Sequence, residues 1–441
     1  MKHIVFIIAS CLLCMFTSCQ KELMPIKVTA NDYQTAINKL TKTMVYDIFS
    51  PPVASRIYAY PNVAAYEIMS QKNENYTSLH SQITSLEAIP KATSKDVNLD
   101  VAAMIAYMEV GKKLVFTQDL LNAYQDSMAV VWKEINAKEF EASKSYGMQV
   151  ASHIQNWIDK DNYKETRTMP KFTVDSDTAS RWQPTPPSYM DGIEPHWMKI
   201  RTLVLANASQ FKPKTHPVFS LAEDSDFYKE LEEVYQVTTK IQETGDEAEE
   251  VKIAQFWDCN PYVAVSTGHL MTATKKITPG AHWIGITNIA CAKKNYNLDD
   301  TIYANTLASI TIFDAFISCW DEKYRSNLIR PETLINQHLD VHWKPLLQTP
   351  PFPEYTSGHS VVSGSAATVL THIFGDNFSY TDDTELEYGL PSRDFTSFNQ
   401  AAQEAAISRL YGGIHYRAAI DNGLAQGIHI GQFVLKTINL K

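Results

Sequence analysis

The chain has 441 residues, 44% of them hydrophobic and 20% charged, enough for an ordinary buried core in two or three domains or in one large helical body. A formal net charge of −10 argues against nucleic acid or an anionic membrane surface as the main partner. Any anion bound here has to be captured by a local cluster of cations.

The chain opens with Lys2 and an apolar stretch from Ile4 to Phe16, and Phe16-Thr17-Ser18-Cys19 closes that stretch with small residues before a cysteine. The apolar run is too short to span a bilayer comfortably and reads as an export signal. Polar Gln20-Lys21-Glu22 follows, completing a pattern like a bacterial lipoprotein cleavage box. The expectation is a signal peptide over 1–18 with Cys19 as the lipidated N-terminus; plain secretion with cleavage nearby is the alternative. The protein would then be exported, either periplasmic or held at the outer membrane only through that lipid. No later segment is expected to cross a membrane, since Asp314 interrupts the nearest candidate, Thr306 to Trp320. Cys259, Cys291 and Cys319 could form at most one disulfide, lack metal-finger spacing, and are read as buried packing.

Apolar residues three and four apart predict helices over Tyr33 to Phe49, Ala64 to Gln71, Val97 to Val115 and Glu139 to Asp159. Trp182-Gln183-Pro184-Thr185-Pro186-Pro187 cannot continue a helix and marks a long crossing loop. Asp300 to Tyr324 is apolar nearly all round, as a central buried helix would be. A further helix should start at Thr356-Ser357-Gly358 and run to Phe374. Another should start at a Ser397/Gln400 capping box, run to Tyr411 and stop at Gly412-Gly413. Period-two alternation is scarce. The prediction is an all-α protein with long, proline-bearing loops, in an N-terminal helical region (27–200) and a C-terminal one (201–441).

Three clusters in the last third carry candidate chemistry. Lys323 and Arg330 stand seven apart, nearly two helical turns, so on a persisting helix both cations would point to one side. In the second, a proline loop, Pro350-Pro351-Phe352-Pro353-Glu354-Tyr355, leads into Thr356-Ser357-Gly358-His359. A helix start there offers free N–H groups to an anion, and Gly358 allows close backbone approach. In the third, Ser408-Arg409 precedes His415 across the double glycine, and the arginine fork suits a tetrahedral oxyanion. Each cluster alone fits a bland reading: a solvated basic helix end, or a histidine with no task.

Together the clusters resemble the signature of the vanadium-dependent haloperoxidases and type 2 phosphatidic acid phosphatases: Lys-x6-Arg-Pro, Pro-Ser-Gly-His, Ser-Arg-x5-His. Segments 182–187, Glu194-Pro195-His196-Trp197, Phe256-Trp257-Asp258-Cys259-Asn260-Pro261 and Pro279-Gly280-Ala281-His282-Trp283 resemble the haloperoxidase branch, and within it the iodide-oxidising enzymes of marine flavobacteria. The resemblance implies a large helical-bundle fold of the vanadium chloroperoxidase type, with 201–441 as its catalytic region and one vanadate per chain. It further implies hydrogen peroxide and halide as substrates, hypohalous acid as product, and iodide as the preferred halide.

By that resemblance Lys323, Arg330 and Arg409, with the Ser357 hydroxyl and the Gly358 N–H, neutralise vanadate oxygens. His415 binds vanadium and His359 acts as acid/base, for which a pKa near neutrality would suit. Phe352, Trp320, Asp321 and Tyr262 are candidates for tuning, with ordinary core packing as the alternative for each aromatic. Two departures stand out. Thr356 replaces the usual proline, which should loosen the loop, and Ala419 replaces an aspartate that orients the histidine, with Asp421 two residues late. A soluble phosphatase with His415 as nucleophile is the rival reading, and a non-catalytic helical surface lipoprotein that binds a ligand is another.

Overall fold

The computed structural model describes residues 24–267, 270–273 and 275–441. The expected signal peptide and Cys19 lie outside the described residues. The protein is all-α, with two short antiparallel ribbons, β1 (Ala264–Thr267) with β2 (Leu270–Ala273) and β3 (Tyr380–Asp382) with β4 (Arg393–Phe395), that period-two patterning did not foreshadow.

Local signals set most helix ends. Thr29 and Asp32 form a capping box at the start of α1 (Ala30–Tyr46). Ser50 caps α2 (Pro51–Met69), whose first positions are prolines and whose residues are all buried. Ala64 to Gln71 is thus the end of a longer helix. Asn98 caps α3 (Leu99–Leu114). The segment from Glu139 is the second half of α4 (Asp119–Ile158), two helical runs joined across non-helical Asn136. A one-turn helix α5 (Tyr163–Thr166) leads into an irregular strap that reaches α6 (Asp226–Thr244) and α7 (Glu249–Phe256).

The C-terminal part contains α8 (Pro279–Lys293), α9 (Leu298–Ser326), α10 (Pro331–His338), α11 (Gly358–Phe374), α12 (Phe398–Tyr411) and α13 (Arg417–Thr437). Helix α9 packs against α2, α8 and α11 at the centre of the molecule. By length and composition it could cross a membrane, contrary to expectation, yet its most apolar stretch is wholly buried in the core. Asp314, the polar interruption, is fully buried and accepts the N–H groups of Leu203, Val204 and Leu205 at 2.7, 2.7 and 2.9 Å. It ties the strap to the core helix, and burial pushes its carboxyl up to about 6. Ser397 caps α12 through the Gln400 N–H, but the Gln400 side chain reaches back to Thr396 and not to Ser397, so the capping box is only half formed.

Helices α11 and α13 approach each other closely. A Cβ placed on Gly427 would sit 2.0 Å from the Val361 carbonyl oxygen, so only glycine allows the two backbones to meet.

Candidate active site

Four connections bring the three clusters together. Helix α9 ends at Asn327, which is left-handed with φ 48°, so Lys323 and Arg330 do not share one helical face as their spacing suggested. Lys323 stands in the last turn of α9, and Arg330 is the N-cap of α10, with Pro331 locking the first helical position. The strap clamps this turn: the Trp182 N–H donates to the Asn327 carbonyl at 3.0 Å, and the Arg181 guanidinium to the Ser326 carbonyl at 3.0 Å. Ser357 caps α11 by accepting the Ser360 N–H at 3.3 Å, while its own N–H donates to the Ala419 carbonyl at 3.0 Å. Gly413, at φ 74°, turns the chain after α12 and presents His415.

The proline loop is not loosened by Thr356. This residue is fully buried, and its hydroxyl donates to Gln426 Oε1 at 2.9 Å on α13. The Glu354 N–H donates to the Leu328 carbonyl at 2.9 Å, and Ser326 Oγ donates to the Tyr355 carbonyl at 3.2 Å. These bonds hold the loop from both sides in place of a proline ring.

Gly358, His359, Arg409 and His415 line a small cavity of about 30 Å³ together with Tyr262, Phe316, Trp320, Phe352, Cys259 and Asn260. Lys323 and Arg330 are not among the lining residues, and each is fully buried. Phe352 packs against both cations, with Lys323 Nζ 5.0 Å and Arg330 Cζ 5.1 Å from its ring centre, and against Trp320 at 5.0 Å between centroids. The Ser357 hydroxyl sits in the helix cap, where accepting one N–H leaves its own proton free to donate. Asp321 does not reach the cavity; it accepts from Arg325 Nε at 3.3 Å.

Lys323, Arg330 and Arg409 make no ion pair among the described residues, although all three are buried. Lys323 Nζ donates to the carbonyls of Pro353 and Glu354, both at 3.1 Å. Arg330 donates to the carbonyls of Phe352 at 2.9 Å and Ile414 at 2.8 Å, and lies 3.2 Å from His415 Nε2. Its Nη2 is buried without a partner. Arg409 donates to Ser408 Oγ at 2.9 Å and the Ala254 carbonyl at 3.2 Å. Removing an ion from water costs several kcal/mol when no counter-charge meets it. Burial accordingly pushes the Lys323 ammonium down to about 7 and Arg330 down to about 10. Three cations collected this way constitute a site for a multiply charged anion.

The orienting partner of His415 is Glu354, which sequence reasoning missed. His415 Nδ1 lies 2.7 Å from Glu354 Oε1, and the same oxygen accepts the Tyr416 N–H at 2.9 Å. An oxygen that already accepts from a backbone amide is the acceptor from the ring as well, so Nδ1 carries the hydrogen and Nε2 keeps its lone pair. Burial, then Arg330, holds His415 well below the usual histidine range, so the ring is neutral. Burial pushes Glu354 up to about 8. A buried glutamate in an otherwise apolar proline loop was the available signal. Ala419 contributes only its backbone carbonyl, and Asp421 is exposed on the surface.

His359 is hydrogen-bonded to the Trp257 backbone, and its Nε2 is buried with no partner. Its pKa is not near neutrality: burial, then Arg409, pushes it well below the usual range. A bound anion would draw it back up.

The fold is all-α, and within it a neutral imidazole faces a cluster of buried cations. The family described as the VCPO second helical-bundle domain matches residues 304–440. The solved structure of a protein called the first bacterial vanadium-dependent iodoperoxidase is 60% identical, covering 95% of this chain and 99% of that one, with a TM-score of 0.92. The chain belongs to the vanadium-dependent haloperoxidases. A bacterial vanadium-dependent chloroperoxidase in its holo form shares the fold at 15% identity, covering 94% of this chain and 98% of that one, with a TM-score of 0.68. Among curated proteins, no sequence matches this chain.

Proposed function

We propose that the protein is a vanadate-dependent haloperoxidase that uses hydrogen peroxide to oxidise halide, iodide by preference, to hypohalous acid, with one vanadate per chain. The carrying observation is the set of three buried, ion-pair-free cations around the neutral Nε2 of His415. The donor set fits vanadate: the orphaned Arg330 Nη2 and His359 Nε2 are buried polar atoms in need of partners. In this reading His415 Nε2 bonds the metal, and Lys323, Arg330, Arg409, the Ser357 hydroxyl and the Gly358 N–H hold the oxygens. Bound vanadate supplies Lewis acidity that polarises peroxide. His359, neutral at Nε2, takes a proton from incoming peroxide and later returns it. Iodide preference rests on likeness to the 60% identical iodoperoxidase.

The test loads purified apoprotein with vanadate or with phosphate, then assays peroxide-dependent oxidation of iodide, bromide and chloride beside phosphate-ester hydrolysis. Iodide turnover that requires vanadate and exceeds bromide and chloride turnover is expected. Chloride turnover equal to iodide would end the halide assignment, and ester hydrolysis without iodide oxidation would favour the phosphatase reading, for which Glu354–His415 supplies an oriented nucleophile.

Vanadate affinity should depend on pH with a definite sign. The cavity needs a charged Lys323, which in the free protein loses its proton as pH rises through about 7, while Glu354 gains negative charge through about 8. Both changes weaken anion binding on the alkaline side. Equilibrium dialysis from pH 6 to 9, corrected for the anion's own protonation, should show affinity falling by up to about tenfold per pH unit for each proton coupled to binding. A flat profile would remove Lys323 from the anion's environment.

We also propose that Cys19 anchors the exported chain through lipid, supported by Phe16-Thr17-Ser18-Cys19. Mass spectrometry of the N-terminus of protein recovered from membranes tests it, and a free N-terminus downstream of Cys19 would refute it.

A further inference from the structure

Two of the segments that mark the haloperoxidase branch meet beside the oxyanion cavity, in a cluster that halide oxidation does not use. Cys259 follows α7, His282 lies in the first turn of α8, Asp382 ends β3 and Glu385 lies in the turn after it. All four are buried, with His282 and Asp382 fully so. Cys259 Sγ lies 3.4 Å from His282 Nδ1 and 3.8 Å from Glu385 Oε1, and His282 Nδ1 lies 3.5 Å from that same Glu385 oxygen. On the far side of the ring, His282 Nε2 lies 2.9 Å from Asp382 Oδ2.

These contacts pose a proton-counting problem. If Asp382 takes the Nε2 hydrogen, Nδ1 presents a lone pair to a sulfur and to a carboxylate oxygen, and the thiol has one proton to share among them. Either a second proton on the ring or a cation between the three atoms resolves the conflict, and the spacing of the three atoms suits a cation. For a tetrahedral zinc with bonds of about 2.0–2.3 Å, the distances between ligand atoms come to about 3.3–3.6 Å, close to the triangle observed. A carboxylate on the opposite ring nitrogen is how metal-bound histidines are oriented and made more basic. Asp382 is itself held, accepting the Thr384 N–H at 3.1 Å and the Thr384 hydroxyl at 2.7 Å.

We propose that Cys259, His282 and Glu385 form a second metal site, for a divalent ion of the zinc type, with Asp382 orienting the histidine and a fourth position open to water. Binding releases the Cys259 thiol proton to solvent and changes no oxidation state. Sequence spacing hid the site because its ligands come from three distant stretches. The site would pin the loop after α7, whose Trp257 stacks on His282 at 4.4 Å and bonds to His359 through its backbone. The proposal does not rest on which anion fills the cavity.

The test uses full-length, vanadate-free protein stripped with a chelator and titrated with Co²⁺ as an optical probe, then with Zn²⁺. About one Co²⁺ per chain is expected, with a near-ultraviolet thiolate-to-cobalt absorption that Zn²⁺ displaces. That absorption should vanish in Cys259→Ser and persist in Cys291→Ser, and Zn²⁺ should raise the Tm of the wild type but not of Cys259→Ser. Wild-type protein that binds no Co²⁺, or binds it without a thiolate band, overturns the site, as does a band unchanged in Cys259→Ser. If Cys259→Ser does not fold, Asp382→Asn replaces it, with metal affinity expected to fall about 10–100-fold; unchanged affinity in that variant counts against the proposal.

Discussion

Replacing His415 with alanine is expected to abolish vanadate retention and halide oxidation together. The imidazole is presented as a neutral ligand by the 2.7 Å contact to Glu354, and Arg330 Nη1, donating to Nε2 at 3.2 Å, marks the direction of its lone pair. With the ring gone, the three cations could still attract an anion loosely, but the only protein bond to the metal in this reading would be lost. Glu354→Gln should give the graded version. A glutamine oxygen can still accept from the ring and from the Tyr416 N–H, so the geometry survives while the ring becomes less basic. Vanadate affinity is then expected to fall about 10–100-fold, the usual cost of losing a partner behind a metal-bound histidine. Vanadium retained after dialysis, measured beside iodide oxidation at limiting vanadate, decides both. Wild-type retention by His415→Ala, with an unchanged circular dichroism spectrum, would remove His415 as the ligand.

Gly427→Ala should be the most damaging single-methyl addition in the fold. The new Cβ would lie 2.0 Å from the Val361 carbonyl oxygen and 2.9 Å from the Ser365 N, both backbone atoms that no side-chain rotation can move aside. Helices α11 and α13 would have to separate, at a cost of about 3 kcal/mol or more. The consequence reaches the site, because the Ser357 N–H is anchored to the Ala419 carbonyl across this same helix pair. Loss of several degrees in Tm and weaker vanadate binding are expected together. Gly111→Ala is the control, since its added Cβ would meet nothing closer than the Leu40 side chain at 3.5 Å. Equal Tm values for the two variants would show that the close approach is not the constraint.

In the proposed reading, halide scope is set at the cavity wall and not by the loop. Thr356 was expected to weaken the loop by replacing a proline, yet its hydroxyl is bonded to Gln426, and bonds to α13 and to the turn after α9 hold the segment. Phe352 remains as the wall residue that touches two of the cations, so its ring and its neighbour Trp320 are where substitutions should alter halide scope.

Sequence by itself determined the helical class and several of the helix ends. Ser357 caps α11 and Gly413 turns the chain at positive φ, because caps and glycines act over three or four residues and are legible locally. Even there, the seven-residue spacing of Lys323 and Arg330 misled, since a left-handed Asn327 ends the helix between them. Only the tertiary structure decided that Glu354, 61 residues before His415, orients it, that Asp321 pairs with Arg325 instead, and that Cys259, His282 and Glu385 meet. The reason is physical: helix ends follow from short-range backbone bonding, whereas the partner of a buried polar group is whichever group the packing of distant segments leaves beside it, out of reach of water.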